Sequence, residues 1–220
     1  MAGGYFLERR YSLVEGSIDK NKERRTFTDF LRANFGWVLE PIVRFLSRLG
    51  VKPNMVTAAG LFGTLVSAYL LSQGNFVWGG LAYLISGPID ALDGALARLQ
   101  GEEEDFGAFV DSVTDRYSEL FVFAALLWYS LQNGDSWLAL ASYFAAFGSV
   151  LVSYTRARAQ SLGLEAKVGL FSRVERIIIL GPLLLFNLPH VGVGLIAVGA
   201  NLTALQRVLH VRNQAHERDH

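Results

Sequence analysis

The 220-residue sequence has no cysteine, no net charge and few charged residues, which make up 18% of the chain. Without cysteine it has no disulfide, no thiolate nucleophile and no Cys-ligated zinc or iron–sulfur site. Its 20 basic residues balance 20 acidic ones, whereas proteins that bind a nucleic-acid backbone carry a basic excess. We therefore exclude nucleic acid as a partner.

What the sequence has instead is a set of long runs without any charge. A transmembrane helix needs about 20 apolar residues to cross a hydrocarbon core of about 30 Å. Turn-prone residues near positions 73, 133 and 188 divide the charge-free runs. The prediction is an all-α integral membrane protein with six transmembrane helices, at about 54–72, 76–99, 107–132, 136–160, 174–187 and 190–210.

The positions of lysine and arginine test this topology, because short cytoplasmic loops collect basic residues. The three turns near 73, 133 and 188 contain none of them. All 20 lie in the segment up to Lys52, at 98–116, at 156–176, or from Arg207 onward. This pattern predicts a multi-pass protein of the cell membrane with both termini in the cytoplasm.

The first 52 residues have a different character. Apolar residues recur at three- and four-residue steps over 27–49, with charged residues among them, which predicts an amphipathic helix lying on the inner leaflet. A seventh, poorly hydrophobic transmembrane helix is the alternative. The predicted organisation is a polar, mobile N-terminus at 1–26, the juxtamembrane helix within 27–52, a six-helix domain at 53–212 and a tail at 213–220.

Four aspartates stand near the ends of the second and third predicted helices: Asp90, Asp93, Asp111 and Asp115. Carboxylates at membrane depth cost roughly 2.5–3.5 kcal/mol each on insertion scales and usually mark function. Spacings of three and four residues place each pair on one helical face. Such a cluster needs protonation or cations to relieve its repulsion, and Mg²⁺ or Mn²⁺, as a pair of ions, suits its oxygen donors.

Two other interpretations of these carboxylates remain open at this point. They can cap helix ends at the membrane interface and pair with Arg98 and Arg116. They can also bind the transported ion of a small cation-coupled transporter. Against the transporter, the carboxylates lie near one membrane face.

The spacing of residues around these aspartates resembles the signature of the CDP-alcohol phosphotransferase family, the membrane enzymes of phospholipid synthesis. The eight specified positions of that signature are Asp90, Asp93, Gly94, Ala97, Arg98, Gly107, Asp111 and Asp115. The Pro-Asn-x-x-Thr sequence that opens the first predicted helix, with Asn54 and Thr57, is also similar to the family. Eight positions at constrained spacing are far more specific than a single short motif.

The resemblance implies six transmembrane helices, a homodimer and a cytoplasm-facing site for a CDP-linked donor. It implies that Asp90, Asp93 and Asp111 are metal ligands, and that Asp115 adds a ligand contact and acts as general base. Gly94 would leave room for cytidine. The other residues assigned to the donor by resemblance are Asn54, Thr57, Ala97, Arg98 and Gly107.

A second basic cluster, Arg156, Arg173 and Arg176, is expected at the cytoplasmic ends of the fourth and fifth helices. Arginine binds phosphate oxygens bidentately, so the cluster can hold an acceptor that is a phosphate monoester. The positive-inside rule explains it equally well. The surrounding sequence resembles the phosphatidylinositol-phosphate synthase branch, which joins CDP-diacylglycerol to inositol 1-phosphate, although Arg156 stands where many members have lysine.

Two related acceptor and donor combinations stay open. A phosphatidylglycerophosphate synthase uses glycerol 3-phosphate, another phosphate monoester that the same arginines can bind. An archaetidylinositol phosphate synthase uses a CDP-linked archaeol as donor. The resemblance to the family does not depend on this choice.

Overall fold

The structure, a computed structural model, describes residues 40–101 and 105–218, apart from the side chains of Asp90 and Ala91. This part of the chain is all-α, as predicted, and contains no strand. Its six long helices are α1 (Pro53–Ser72), α2 (Phe76–Gln100), α3 (Asp105–Gln132), α4 (Ser136–Ser161), α5 (Arg173–Leu185) and α6 (Pro189–Arg218). A shorter helical segment covers residues 40–48.

The helix boundaries follow the charge-free runs closely, with one exception. The prediction ends the last helix near position 210, whereas α6 continues to Arg218. Hydrophobicity cannot locate this end, because the last turns of α6 are polar. The segment 40–48 falls within the predicted amphipathic helix at 27–49, while residues 27–39, like the N-terminus at 1–26, lie outside the described residues.

Three of the described helices, α1, α4 and α6, are long and apolar enough to cross a membrane. α5 has 13 residues, about 20 Å of helix, which is less than the hydrocarbon thickness. Large apolar side chains point outward along the helices; the exposed fraction is 68% for Phe62, 65% for Trp78 and 63% for Val198. An apolar exterior of this kind, on helices long enough to cross a bilayer, is typical of a membrane protein.

The six helices pack in a ring. Its order is α1, α2, α5, α6 and α4, then α3, which returns to α1. α3 and α5 therefore lie on opposite sides of the ring. Buried apolar side chains fill its interior, among them Leu71, Phe123, Leu126, Leu184 and Ile196.

Close packing of α4 against α6 depends on glycine. A Cβ on Gly148 would lie 2.9 Å from the backbone nitrogen of Asn201 and 3.0 Å from the Cβ of Ala200. The Asn201 side chain also donates a hydrogen bond of 2.9 Å to the Phe144 carbonyl on α4. Small residues and side-chain amides of this kind join helices in membranes, where the hydrophobic effect does not.

The segment between α4 and α5 is held against the middle and the last turns of α6. Gln214 and Glu165 exchange two hydrogen bonds, of 2.7 and 3.1 Å. The Phe171 N–H donates to the Thr203 hydroxyl at 3.3 Å. Through Gln214, the extension of α6 beyond the predicted end therefore supports the segment that leads into α5.

Candidate active site

One corner of the site lies where the start of α1 meets the end of α2. Asp93 is buried, with 4% of its surface exposed. Its Oδ2 accepts a hydrogen bond of 2.5 Å from the Thr57 hydroxyl, and its Oδ1 accepts one of 2.5 Å from the Gly94 N–H. These contacts fix the carboxylate of Asp93, while Asn54 lies exposed near the start of α1.

The two glycines of the signature border open space. In the described part of the chain, a Cβ on Gly107 would meet no atom within 4 Å, and a Cβ on Gly94 would meet only the Arg98 guanidinium, at 3.6 Å. Packing therefore does not require either glycine. Arg98 is exposed and Ala97 is half-buried beside this space, which a ligand can approach.

Asp111 and Asp115 lie one turn apart on α3, opposite α5 in the ring. The Oδ1 atom of Asp111 is shielded from solvent. Arg173, the first residue of α5, donates a hydrogen bond to Asp115 Oδ1, and the Arg116 guanidinium lies 3.7 Å from Oδ2. Asp115, the predicted general base, is thus bonded across the ring to Arg173, which is predicted to bind the acceptor phosphate.

One helical turn further along α3, a second ion pair reaches α5. Arg176 donates two hydrogen bonds to the Glu119 carboxylate, of 2.5 and 2.8 Å. Its third nitrogen donates to the Phe171 carbonyl at 2.7 Å. Arg176 is 1% exposed, so the protein itself surrounds its guanidinium.

Arg207 on α6 is a buried arginine of the same region, 4% exposed. It donates to the carbonyls of Val168 and Val152, at 3.0 and 2.5 Å. In the described part of the chain no carboxylate bonds to it. Its charged neighbours are two more arginines, the exposed Arg156 and the buried Arg176, and one carboxylate, that of Glu175. Cations gathered in this way favour an anionic ligand.

Three of the four residues of the predicted metal site, Asp93, Asp111 and Asp115, have described side chains, whereas the side chain of Asp90 lies outside the described part of the chain. Among the residues that are described, no three acidic or histidine side chains gather closely enough to hold a metal ion. The donors on offer are nevertheless all carboxylate oxygens, the ligand type of Mg²⁺ and Mn²⁺. The donor set of Asp90, Asp93, Asp111 and Asp115 therefore fits a hard divalent cation by its chemistry.

Sequence analysis did not identify Glu119 or Arg207 as site residues. Glu119 stands four residues after Asp115, so the i, i+4 spacing on α3 is a signal that places both carboxylates on one face. Arg207 ends the last charge-free run, where a basic residue is expected from topology alone. Its burial is visible only in the structure.

Known proteins are similar to this chain in both sequence and fold. The model of the CDP-alcohol phosphatidyltransferase family matches residues 51–206. A phosphatidylinositol phosphate synthase of Streptomyces avermitilis is 36% identical over 205 residues, which cover 86% of this chain and 84% of that protein. An archaetidylinositol phosphate synthase of Pyrococcus horikoshii is 35% identical over 177 residues, covering 80% and 92%.

Solved structures agree with these sequence matches. The crystal structure of Mycobacterium tuberculosis phosphatidylinositol phosphate synthase with CDP-DAG bound has a TM-score of 0.71 and 32% identity, covering 79% of this chain and 93% of that one. The structure of the same enzyme with manganese and citrate also gives 0.71. The class is therefore that of helical membrane transferases. This chain belongs to the CDP-alcohol phosphatidyltransferase family, which confirms the resemblance of its signature.

Proposed function

We propose that the chain transfers a phosphatidyl group from CDP-diacylglycerol to a hydroxyl of inositol 1-phosphate and releases CMP. Similarity to phosphatidylinositol phosphate synthases supports the acceptor. The observation that carries the proposal is the contact between Asp115 and Arg173. It places a carboxylate able to accept a proton beside a guanidinium able to bind the phosphate of the acceptor.

The donor side of the proposed site lies at α1, α2 and the start of α3. Asp90, Asp93 and Asp111 would hold one or two divalent ions, with Asp115 as a further ligand. Such ions neutralise diphosphate charge and polarise the reacting phosphorus. Thr57 orients Asp93 by its hydrogen bond.

Cytidine would bind beside Gly94 and Gly107, where the structure leaves open space. The exposed Asn54 and Arg98, with Ala97, border the donor on this side. Two glycines in helices are unfavourable unless the missing side chains serve a purpose. Room for a nucleotide is such a purpose.

The acceptor side lies at α4, α5 and α6. Arg156 and Arg173 would contact the acceptor phosphate. The buried Arg207 would add positive charge without contacting it. For Arg176 we propose an indirect contribution, because Glu119 and the Phe171 carbonyl already engage its three nitrogens.

The transfer step needs one new bond and one broken bond. The acceptor hydroxyl oxygen attacks the phosphorus that carries the diacylglycerol, the bond from that phosphorus to the CMP oxygen breaks, and the hydroxyl proton passes to Asp115. Arg173 holds Asp115 in the structure. An acceptor phosphate competes for this guanidinium and draws it from the carboxylate, so binding of the acceptor exposes the base to the hydroxyl.

The proposal includes six membrane crossings with the site facing the cytoplasm, and a homodimer as the family resemblance implies. Contacts within the ring support the topology. Thr57 near the start of α1 meets Asp93 near the end of α2, and Asp135 before α4 meets His190 at the start of α6. Helix ends thus alternate between two faces, and the lysines and arginines of the described residues lie toward only one of them.

The test is CMP release and lipid product mass from protein purified in detergent, with CDP-diacylglycerol and Mg²⁺ or Mn²⁺. The acceptors to compare are inositol 1-phosphate, free inositol, glycerol 3-phosphate and serine, each also with CDP-archaeol as donor. Activity with inositol 1-phosphate alone is expected. A preference for glycerol 3-phosphate would contradict inositol 1-phosphate as the acceptor but not the transfer reaction of the family. Release of CMP without any divalent metal would contradict the metal site.

A further inference from the structure

The ion pair of Glu119 and Arg176 crosses the ring one turn deeper than Asp115. Its side chains are 6% and 1% exposed, whereas those of Asp115 and Arg173 are 16% and 24% exposed. Arg176 is held by both carboxylate oxygens and by the Phe171 carbonyl. Of two neighbouring pairs that join α3 to α5, one is therefore locked in place and the other borders solvent.

Stability alone is a poor reason for the buried pair. Desolvating two charges offsets most of their attraction, and apolar residues of similar volume often serve stability as well or better. What an apolar pair cannot supply is the third hydrogen bond, from the guanidinium to the Phe171 carbonyl. The ion pair therefore fixes the position of the Phe171 carbonyl, which a pair of apolar side chains would not do.

Phe171 is the point at which three elements meet. Its N–H donates to Thr203 on α6, and a Cβ on Gly199 of α6 would lie 2.4 Å from its ring. Its carbonyl receives the bond from Arg176, and Arg173 follows two residues later. Holding both polar groups of this peptide segment fixes the backbone from which the Arg173 side chain extends.

We propose that Glu119 and Arg176 are positioning residues for the acceptor phosphate. Glu119 holds Arg176, Arg176 holds the Phe171 carbonyl, and the fixed start of α5 directs Arg173 to the acceptor beside Asp115. This inference rests on the proposed function and deepens it. The two arginines at the start of α5 then have different roles. Arg176 stays fixed, whereas Arg173 moves between the Asp115 carboxylate and the acceptor phosphate.

Single substitutions test the kinetic consequence. In Glu119→Gln and Arg176→Lys we expect the KM for inositol 1-phosphate to rise about tenfold or more, with the KM for CDP-diacylglycerol within about twofold of wild type. Glu165→Gln and Arg212→Lys are matched controls, since both side chains are exposed. Equal loss of apparent affinity for donor and acceptor would contradict the proposal.

A double substitution separates positioning from folding. Glu119→Leu/Arg176→Met replaces the pair by apolar residues of similar size, so the thermal midpoint in detergent should stay close to wild type. The Phe171 carbonyl nevertheless loses its donor, and the acceptor KM should rise as in the single variants. A stable double variant with a wild-type acceptor KM would overturn the inference.

Amide hydrogen exchange gives a readout that needs no turnover. Loss of the pair should speed exchange in peptides covering residues 169–175 and leave the middle of α4 unchanged. This result stands even if wild-type protein uses another acceptor, so failure of the proposed function and failure of the inference are distinguishable. Unchanged exchange at 169–175, or an equal increase everywhere, would contradict a positioning role.

Discussion

Three roles are proposed for the side chain of Asp115. It stands in the signature at a metal-ligand position, its Oδ1 accepts a hydrogen bond from Arg173, and its carboxylate is the proposed proton acceptor. These roles are compatible only if they follow one another. Exchange of Arg173 from Asp115 to the acceptor phosphate supplies that order, and it explains why a phosphorylated acceptor would be preferred over a free polyol.

Asp115→Asn tests the role of general base. The amide keeps the size of the side chain and removes its ability to take a proton, so we expect kcat to fall roughly 10²- to 10⁴-fold. Binding of the CDP-linked donor, measured by equilibrium dialysis, should be largely intact. Asp105→Asn, at the exposed start of the same helix, is the control. An equal loss of donor binding would leave Asp115 as a metal ligand only.

Gly94→Ala tests whether the glycine makes room for a ligand. The new methyl has space within the protein, and alanine favours a helix by about 1 kcal/mol over glycine, so the thermal midpoint should hold or rise. The KM for the donor should increase. Gly148→Ala is the contrast, since its methyl meets the backbone nitrogen of Asn201 and the Cβ of Ala200 on α6 and should destabilise the protein by about 1–3 kcal/mol. An unchanged donor KM in Gly94→Ala would argue against cytidine at this position.

Among the helices, α4 shows how one end is fixed by a turn residue. Asp135 caps its N-terminus by accepting a hydrogen bond of 3.0 Å from the Leu138 N–H. This bond is the main cause that lowers the pKa of Asp135 below its ordinary value of 3.8, and contact with His190 acts in the same direction. The stabilisation is present above the ordinary pKa and is lost as the pH falls through the lowered one.

Asp135→Ala should therefore lower the stability by about 1 kcal/mol at pH 7 and by a similar amount at pH 5. The difference from wild type should shrink below about pH 4, as the carboxylate of the wild type becomes protonated. Thermal unfolding in detergent at the three pH values measures it. Ser136→Ala, at the exposed next position, should show no such trend; a penalty in Asp135→Ala that grows on acidification would reverse the argument.

The sequence predicts where each helix begins and ends better than it predicts which helices pack against one another. Charge-free runs and turn residues locate α1 to α5 within about two residues, because burial in lipid demands continuous apolar helix. The end of α6 escapes this signal, since its polar turns stabilise the segment between α4 and α5 through side-chain contacts such as that of Gln214 with Glu165.

At the scale of the whole molecule, the order of helices in the ring and the pairing of Glu119 with Arg176 have no local sequence signal. Both depend on which elements meet across the interior. The charge-free runs predicted Asp93 toward the end of α2 and Asp111 and Asp115 in the first half of α3, where the structure has them. Their roles as metal ligands and general base stay predictions. The family signature carried no information about Arg207, whose burial follows from packing.

The absence of cysteine makes the whole topology testable with single introduced thiols. In right-side-out vesicles, a membrane-impermeant maleimide should label Gln73→Cys and Asn133→Cys, and should label Gln160→Cys and Asn213→Cys only after permeabilisation. All four positions are at or near helix ends. Labelling of Gln160→Cys in intact vesicles would reverse the orientation, and a mixed pattern between Gln73→Cys and Asn133→Cys would change the number of crossings.

The two ion pairs that cross the ring also restrict how this sequence can drift. A change at Glu119 alone strands the Arg176 charge in the interior, and a change at Arg176 alone strands the carboxylate, so either single step passes through a destabilised protein. Positions 119 and 176 should therefore change together among descendants of this sequence. Positions 115 and 173 lie closer to solvent, and reaction chemistry rather than burial would keep their residues in place.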